Sequence, residues 1–158
     1  MSGKLVGSLL IITTLIGGIS LYYLQVHYFY KKIDETSPNF KIRILSKESG
    51  LYEFVKYENF NGIDGNNSPL KFKGCFNLLD VKRVESIGVN VLKPIPLTAP
   101  NWFTCFDAVK IGMALEVGEA RAVISERNIF TGVDRVVAFF GDGKAFSWHQ
   151  LNNEILSE

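Results

Sequence analysis

Past its first thirty residues the chain has too few soft or imidazole ligands, and no phosphate loop, for much of the chemistry a small domain can host. Only two of 158 residues are cysteine and two are histidine. A structural zinc takes four ligands, and Cys75, Cys105 and His149 offer three at most. No metal site is expected. Gly141 and Gly143 are two residues apart, but Phe146 stands where a dinucleotide fingerprint needs its third glycine. Asp64, Asn66 and Ser68 resemble the start of a calcium loop. Pro69 then occupies the glycine position and Cys75 the closing glutamate position, which excludes a calcium hand. No cofactor is expected. Charge of one sign is lacking too. Sixteen basic and sixteen acidic residues follow residue 30, so that part has no net charge and no footprint for nucleic acid. Fixed-period repeats and low-complexity tracts are absent. Asn66-Asn67-Ser68 matches a glycosylation acceptor, which matters only on a eukaryotic secretory route.

What is present begins with Leu5 to Leu24, a continuous apolar run without charge. Twenty residues of helix span about 30 Å, the hydrocarbon thickness of a bilayer. Tyr22, Tyr23, His27, Tyr28, Phe29 and Tyr30 follow, then Lys31 and Lys32. Tyrosines have an apolar ring and a wet hydroxyl, so they collect at headgroup level. The helix is expected to run through this belt to about Ile33, with lipid against residues 5–30. Gly18-Ile19-Ser20 offers a signal-peptide cut, but apolar and aromatic residues continue past it. The span is therefore expected to stay. Gly3, Gly7, Thr14 and Gly18 share one helix face, which permits self-association by close packing.

Direction is contested by two signals. Lys31, Lys32, Lys41 and Arg43 follow the span while Lys4 alone precedes it, which favours a cytoplasmic C-terminal part. The short N-terminal tail of a signal anchor and the cysteine pair favour the opposite side. The expectation is that the C-terminal part lies outside the cytoplasm.

Two parts follow: residues 1–33 as anchor with aromatic belt, and 34–158 as one soluble domain. Asp34 to Asn39 reads as a polar link. Phe40 to Leu45 alternates as a half-buried strand, and Leu51 to Tyr57 makes a second. Phe60 to Pro69 is rich in turn formers and predicts a loop. Leu70 to Leu78 alternates again, Leu79 to Ser86 predicts a short helix, and Gly88 to Leu92 a strand. Pro94, Pro96 and Pro100 keep the next stretch extended. Asp107 is placed to cap a helix that Gly118 ends. Ala120 to Ile124 predicts a strand and Arg127 to Gly132 a turn. Asp134 to Phe140 and Lys144 to Gln150 flank Gly141-Asp142-Gly143 as a hairpin. The class is α+β: an N-terminal transmembrane helix, then a mostly antiparallel sheet with one or two short helices.

Cys75 and Cys105 suggest one disulfide, worth about 3 kcal/mol for a loop of this length. The alternative is two buried thiols in a reducing compartment. Cys105, Asp107 and His149 also permit a thiol enzyme, which needs cysteine and histidine within hydrogen-bond reach. The bland counterpart is a histidine on a hairpin strand, and no residue is assigned as catalytic. Trp102 and Phe103, in an apolar loop, and Trp148 beside His149 are candidates for partner binding. Their alternative role is to plug the sheet against the helix.

Several blocks carry a family resemblance: MSGKL, the YYLQV ending of the span, SPLKFKGCF, PLTAPNWFTCFDA, and DRVVAFF through WHQLN. They resemble an uncharacterised family of short, single-anchor membrane proteins of alphaproteobacteria, some labelled histidine kinases. The resemblance implies a bacterial inner-membrane protein with both cysteines as family features, and it brings no activity. The kinase label fails on the residues. His27 lies in the aromatic belt, His149 on a strand, and no phosphate-cradling loop exists. The functional expectation is a non-enzymatic accessory or scaffold domain facing the periplasm, with an envelope protein as partner. The runner-up is the thiol enzyme of Cys105 and His149.

Overall fold

The computed structural model describes residues 2–34 and 41–152. Helix α1 spans Gly3–Tyr23 and continues as a π-helical turn over Leu24–Tyr28. Ser8, Thr13 and Thr14 donate their hydroxyls to carbonyls three or four residues back, at 2.8–3.0 Å. Their polar groups are thereby satisfied inside the helix, whose outer surface stays apolar. No residue of α1 is buried. With a mean hydropathy of 2.0, Gly3–Tyr28 is long and apolar enough to cross a membrane. Nothing lies within 4 Å of where side chains would project from Gly3, Gly7 and Gly18.

Eight strands follow among the described residues. Six form one antiparallel sheet in the order β1-β4-β5-β8-β7-β6. These are β1 (Tyr30–Asp34), β4 (Tyr57–Gly65), β5 (Lys73–Leu78), β6 (Ala120–Phe130), β7 (Val133–Phe140) and β8 (Lys144–Leu151). Strands β2 (Arg43–Leu45) and β3 (Tyr52–Phe54) make a separate hairpin. Helix α2 spans Val81–Ile87 and α3 Ala108–Glu116.

Both faces of the sheet are covered. On the first, Ile42 and Ile44 before and within β2, and Val84 and Ile87 of α2, pack on Phe60, Phe76, Val137 and Phe139. Gly62 and Gly74 pair across β4 and β5, directly beneath the Phe60 ring. A Cβ on either would lie 2.7 or 2.8 Å from that ring, so the close approach requires glycine. On the second face, Phe103, Phe106 and Ile111 pack on Ile63, Val136, Ala138 and Trp148.

The α+β class, the two short helices and the mostly antiparallel sheet are as the sequence predicts. Asp107 caps α3 by accepting from Val109 and Lys110 backbone N–H groups, and Gly118 ends it at φ +78°. The closing hairpin forms around Gly141 to Gly143, with Gly143 at φ +94°.

Five predictions fail locally. Tyr30 to Ile33 does not continue the helix; edge pairing with β4 captures it as β1. Phe60 to Pro69 is not a loop, because β4 runs to Gly65. The register slip between Glu58 and Asn61, with Asn59 at φ 55°, lets a turn-rich sequence pair. Gly88 to Leu92 makes only single bridges, Ser46 with Gly88 and Asn90 with Val123. Arg127 to Phe130 belongs to β6, which absorbs Asn128 at φ 46° through irregular register. Leu70 to Leu78 is divided: Pro69–Lys71 forms a 3-10 turn before β5. Residues 35–39 of the expected link and Phe40 of the first expected strand lie outside the described residues.

Candidate functional site

The last carbonyls of a helix have no donor of their own helix to receive. Here the domain supplies one: the Trp102 indole N–H donates to the Val26 carbonyl at 2.7 Å. His27 stacks on Trp102 with ring centroids 6.1 Å apart, and Tyr30 meets Trp102 edge-on at 5.7 Å. Phe29 alone separates the helical turn from β1. The foot of the helix is therefore gripped by the domain without slack. The gripping loop is itself fixed. Cys105, three residues past Trp102, is bonded to Cys75 on β5, with Cα atoms 6.3 Å apart. Cys75 is buried, and Cys105 is on the surface with the Asn61 amide nitrogen 3.9 Å from its sulfur.

A second grip comes from the Pro69–Lys71 turn. Its carbonyls are held from below. His149 donates its Nδ1–H to the Pro69 carbonyl at 2.5 Å. The Lys73 ammonium donates to the carbonyls of Leu70 at 2.7 Å and Phe72 at 3.2 Å. Arg135 donates Nε–H to His149 Nε2 at 3.0 Å, which fixes a neutral imidazole with its proton on Nδ1. Burial, then the Arg135 charge, push the His149 pKa down to about 3. Burial lowers Lys73 to about 8, partly offset by Asp64, and Arg135 to about 10, partly offset by Glu126 and then Asp64. Burial raises Asp64. The Phe72 ring packs on the Arg135 guanidinium at 4.4 Å and the His149 ring at 4.6 Å. From the turn so fixed, the Lys71 ammonium reaches over Tyr30 at 4.6 Å and Phe29 at 5.4 Å. It is buried there with no hydrogen-bond acceptor among the described residues, so the aromatic faces carry its charge.

A family model described as "Family of unknown function (DUF6446)" matches residues 42–156. The chain belongs to this family. The DUF6446 region holds both cysteines, Trp102, the Pro69–Lys71 turn and the buried charges; α1 and β1 precede it. No curated protein and no solved structure matches the chain.

Within the DUF6446 region the expected site residues separate. Cys75 and Cys105 come together as the disulfide. Trp102 is half-buried against the helix foot, and Phe103 is 5 %, Trp148 0 % and His149 1 % exposed. Phe103, Trp148 and His149 offer no surface to a partner, and Trp102 is turned to the helix foot. Phe103 and Trp148 plug the second face, and His149 is on the first. Cys105 and His149 do not approach as a catalytic pair. The sulfur is committed to Cys75 on the second face, and both imidazole nitrogens are committed on the other. Sequence reasoning missed Lys71, Lys73, Asp64 and Arg135. The alternation of Lys71 and Lys73 reads as a solvent face. The only contrary signal is the apolar block from Gly74 to Phe76 beside Lys73, which marks a strand buried on both sides.

Proposed function

We propose that this DUF6446 protein is a single-pass protein of a bacterial inner membrane whose domain faces the periplasm. There it serves as a non-enzymatic accessory or scaffold held close to the bilayer for an envelope protein partner. The apolar, unburied Gly3–Tyr28 helix supports the anchor. The observation that carries the reading is the Cys75–Cys105 disulfide, because such bonds persist in oxidising compartments. The grip of Trp102 and Lys71 on the helix foot suits a domain whose task is position.

The test is thiol labelling from each side of intact membranes, with and without reductant. Cys105 is on the surface, so a reduced bond is open to reagent. Labelling that appears only after reduction, from the periplasmic side, is expected. Free thiols reached only from the cytoplasmic side overturn the proposal.

A further inference from the structure

We infer that the cleft between Lys93–Leu97 and strands β6 to β8 takes the acyl chain of an anionic lipid from the bilayer that holds α1. This rests on the anchored reading above. The cleft has a volume of about 730 Å³, within the ~300–1,000 Å³ usual for small-molecule sites. Its walls include Leu70, Leu92, Ile95, Leu97 and Leu151. Leu92 is 93 % and Ile95 57 % exposed, a large apolar surface left in water. The polar floor is largely spent on the fold. Gln150 Oε1 accepts from the Ile95 N–H and the Trp148 indole, and its amide nitrogen donates to the Lys93 carbonyl. Asp134 Oδ1 accepts from the Asn128 N–H and the Asn152 side chain. The floor thus favours an apolar occupant over a polar one.

Position names the source. Lys32, Ile63, Lys73, Trp148 and Val136 pair in one row across the sheet. Tyr30, where the helix joins, and the cleft residues Asp134 and Gln150 lie beyond that row at the same end. Leu70 of the cleft adjoins Lys71, which covers Tyr30. Strand β8 is three strands from β1, about 15 Å across the sheet. The floor of the cleft is thus at the helix end of the domain. Lys93 and Arg127 line the rim, exposed and without an ion pair among the described residues, which suits an anionic headgroup.

The test uses the full chain in lipid nanodiscs. Trp102→Phe keeps an aromatic ring at the helix foot and leaves Trp148, bonded to Gln150 beneath the cleft, as the only tryptophan. Phosphatidylglycerol with brominated acyl chains is expected to quench Trp148, which is 0 % exposed and bonded to Gln150 of the cleft floor. Ile95→Glu is expected to abolish the quenching. Lys93→Glu with Arg127→Glu, two surface changes that leave the core intact, is expected to abolish it for phosphatidylglycerol and keep it for brominated phosphatidylcholine. No quenching in nanodiscs that carry the protein, or unchanged quenching in Ile95→Glu, overturns the inference. Quenching that appears only after residues 153–158 are deleted also overturns it, since the chain's own tail is then the occupant. Failure of the protein to migrate with the nanodiscs defeats the anchored reading instead.

Discussion

Reduction of the Cys75–Cys105 bond should loosen the domain and release the helix foot together. The bond closes a loop with a sequence separation of 30. The chain-entropy relation makes such a closure worth about 3.5 kcal/mol. For a domain of this size each kcal/mol moves the melting temperature by roughly 3–6 °C, so reduction should lower it by roughly 10–20 °C. Thermal unfolding of the full chain in detergent, followed by tryptophan emission with and without reductant, reads this directly. A second arm tests the link to the helix. Trp102→Phe removes the donor to Val26, a loss of about 1 kcal/mol in the oxidised protein. In the reduced protein the loop carrying Trp102 is no longer tied to β5, and the same substitution should cost much less. Oxidised and reduced protein melting together would refute the staple. An equal cost of Trp102→Phe in both states would refute the coupling.

Lys73 sets a pH dependence. Burial depresses its folded pKa from 10.5 to about 8. Below pH 8 both states hold the proton and the folded state bears the cost, about 3 kcal/mol for a shift of this size. Above 10.5 neither state holds it, so this contribution makes stability rise between about pH 8 and 10.5. Lys73→Met should remove that rise in urea unfolding, and an unchanged pH profile would refute the assignment. Gly65→Ala should destabilise by about 1–3 kcal/mol through crowding. Its Cβ would collide with Lys71 Cδ and lie 3.0 Å from the Phe29 carbonyl. An unchanged urea midpoint would show that Lys71 does not need its place over Tyr30.

The elements that could be read from sequence are those whose signals are local. Asp107 and Gly118 bound α3, and the glycines of the last hairpin mark their turn. The misread segments are those where pairing overrides composition. Asn59 to Gly65 has turn chemistry, yet β1 on one side and β5 on the other draw it into the sheet. Tyr30 to Ile33 has the look of a helix end because its partner, β4, is some thirty residues away. The cysteine pair was legible as a count, and its place beside Trp102 was not. The buried charges were invisible for the same reason. Lys73 and His149 are ordinary letters until the Pro69–Lys71 turn presents carbonyls to them.

The single residue between the helical turn and β1 sets a ceiling on reach. A chain of about 120 residues folds to a radius of gyration of roughly 14 Å, hence a body roughly 35 Å across. With Phe29 alone as spacer, the anchored reading proposed above puts such a body directly against the bilayer surface. On that reading, a partner in the same membrane meets the domain at that height, and a soluble one has to approach the lipid. Rotation of the helix about its own axis is also passed on, since Trp102 grips the last turn from the side. A turning helix would sweep the cleft and the exposed leucines through an arc, as a crank does.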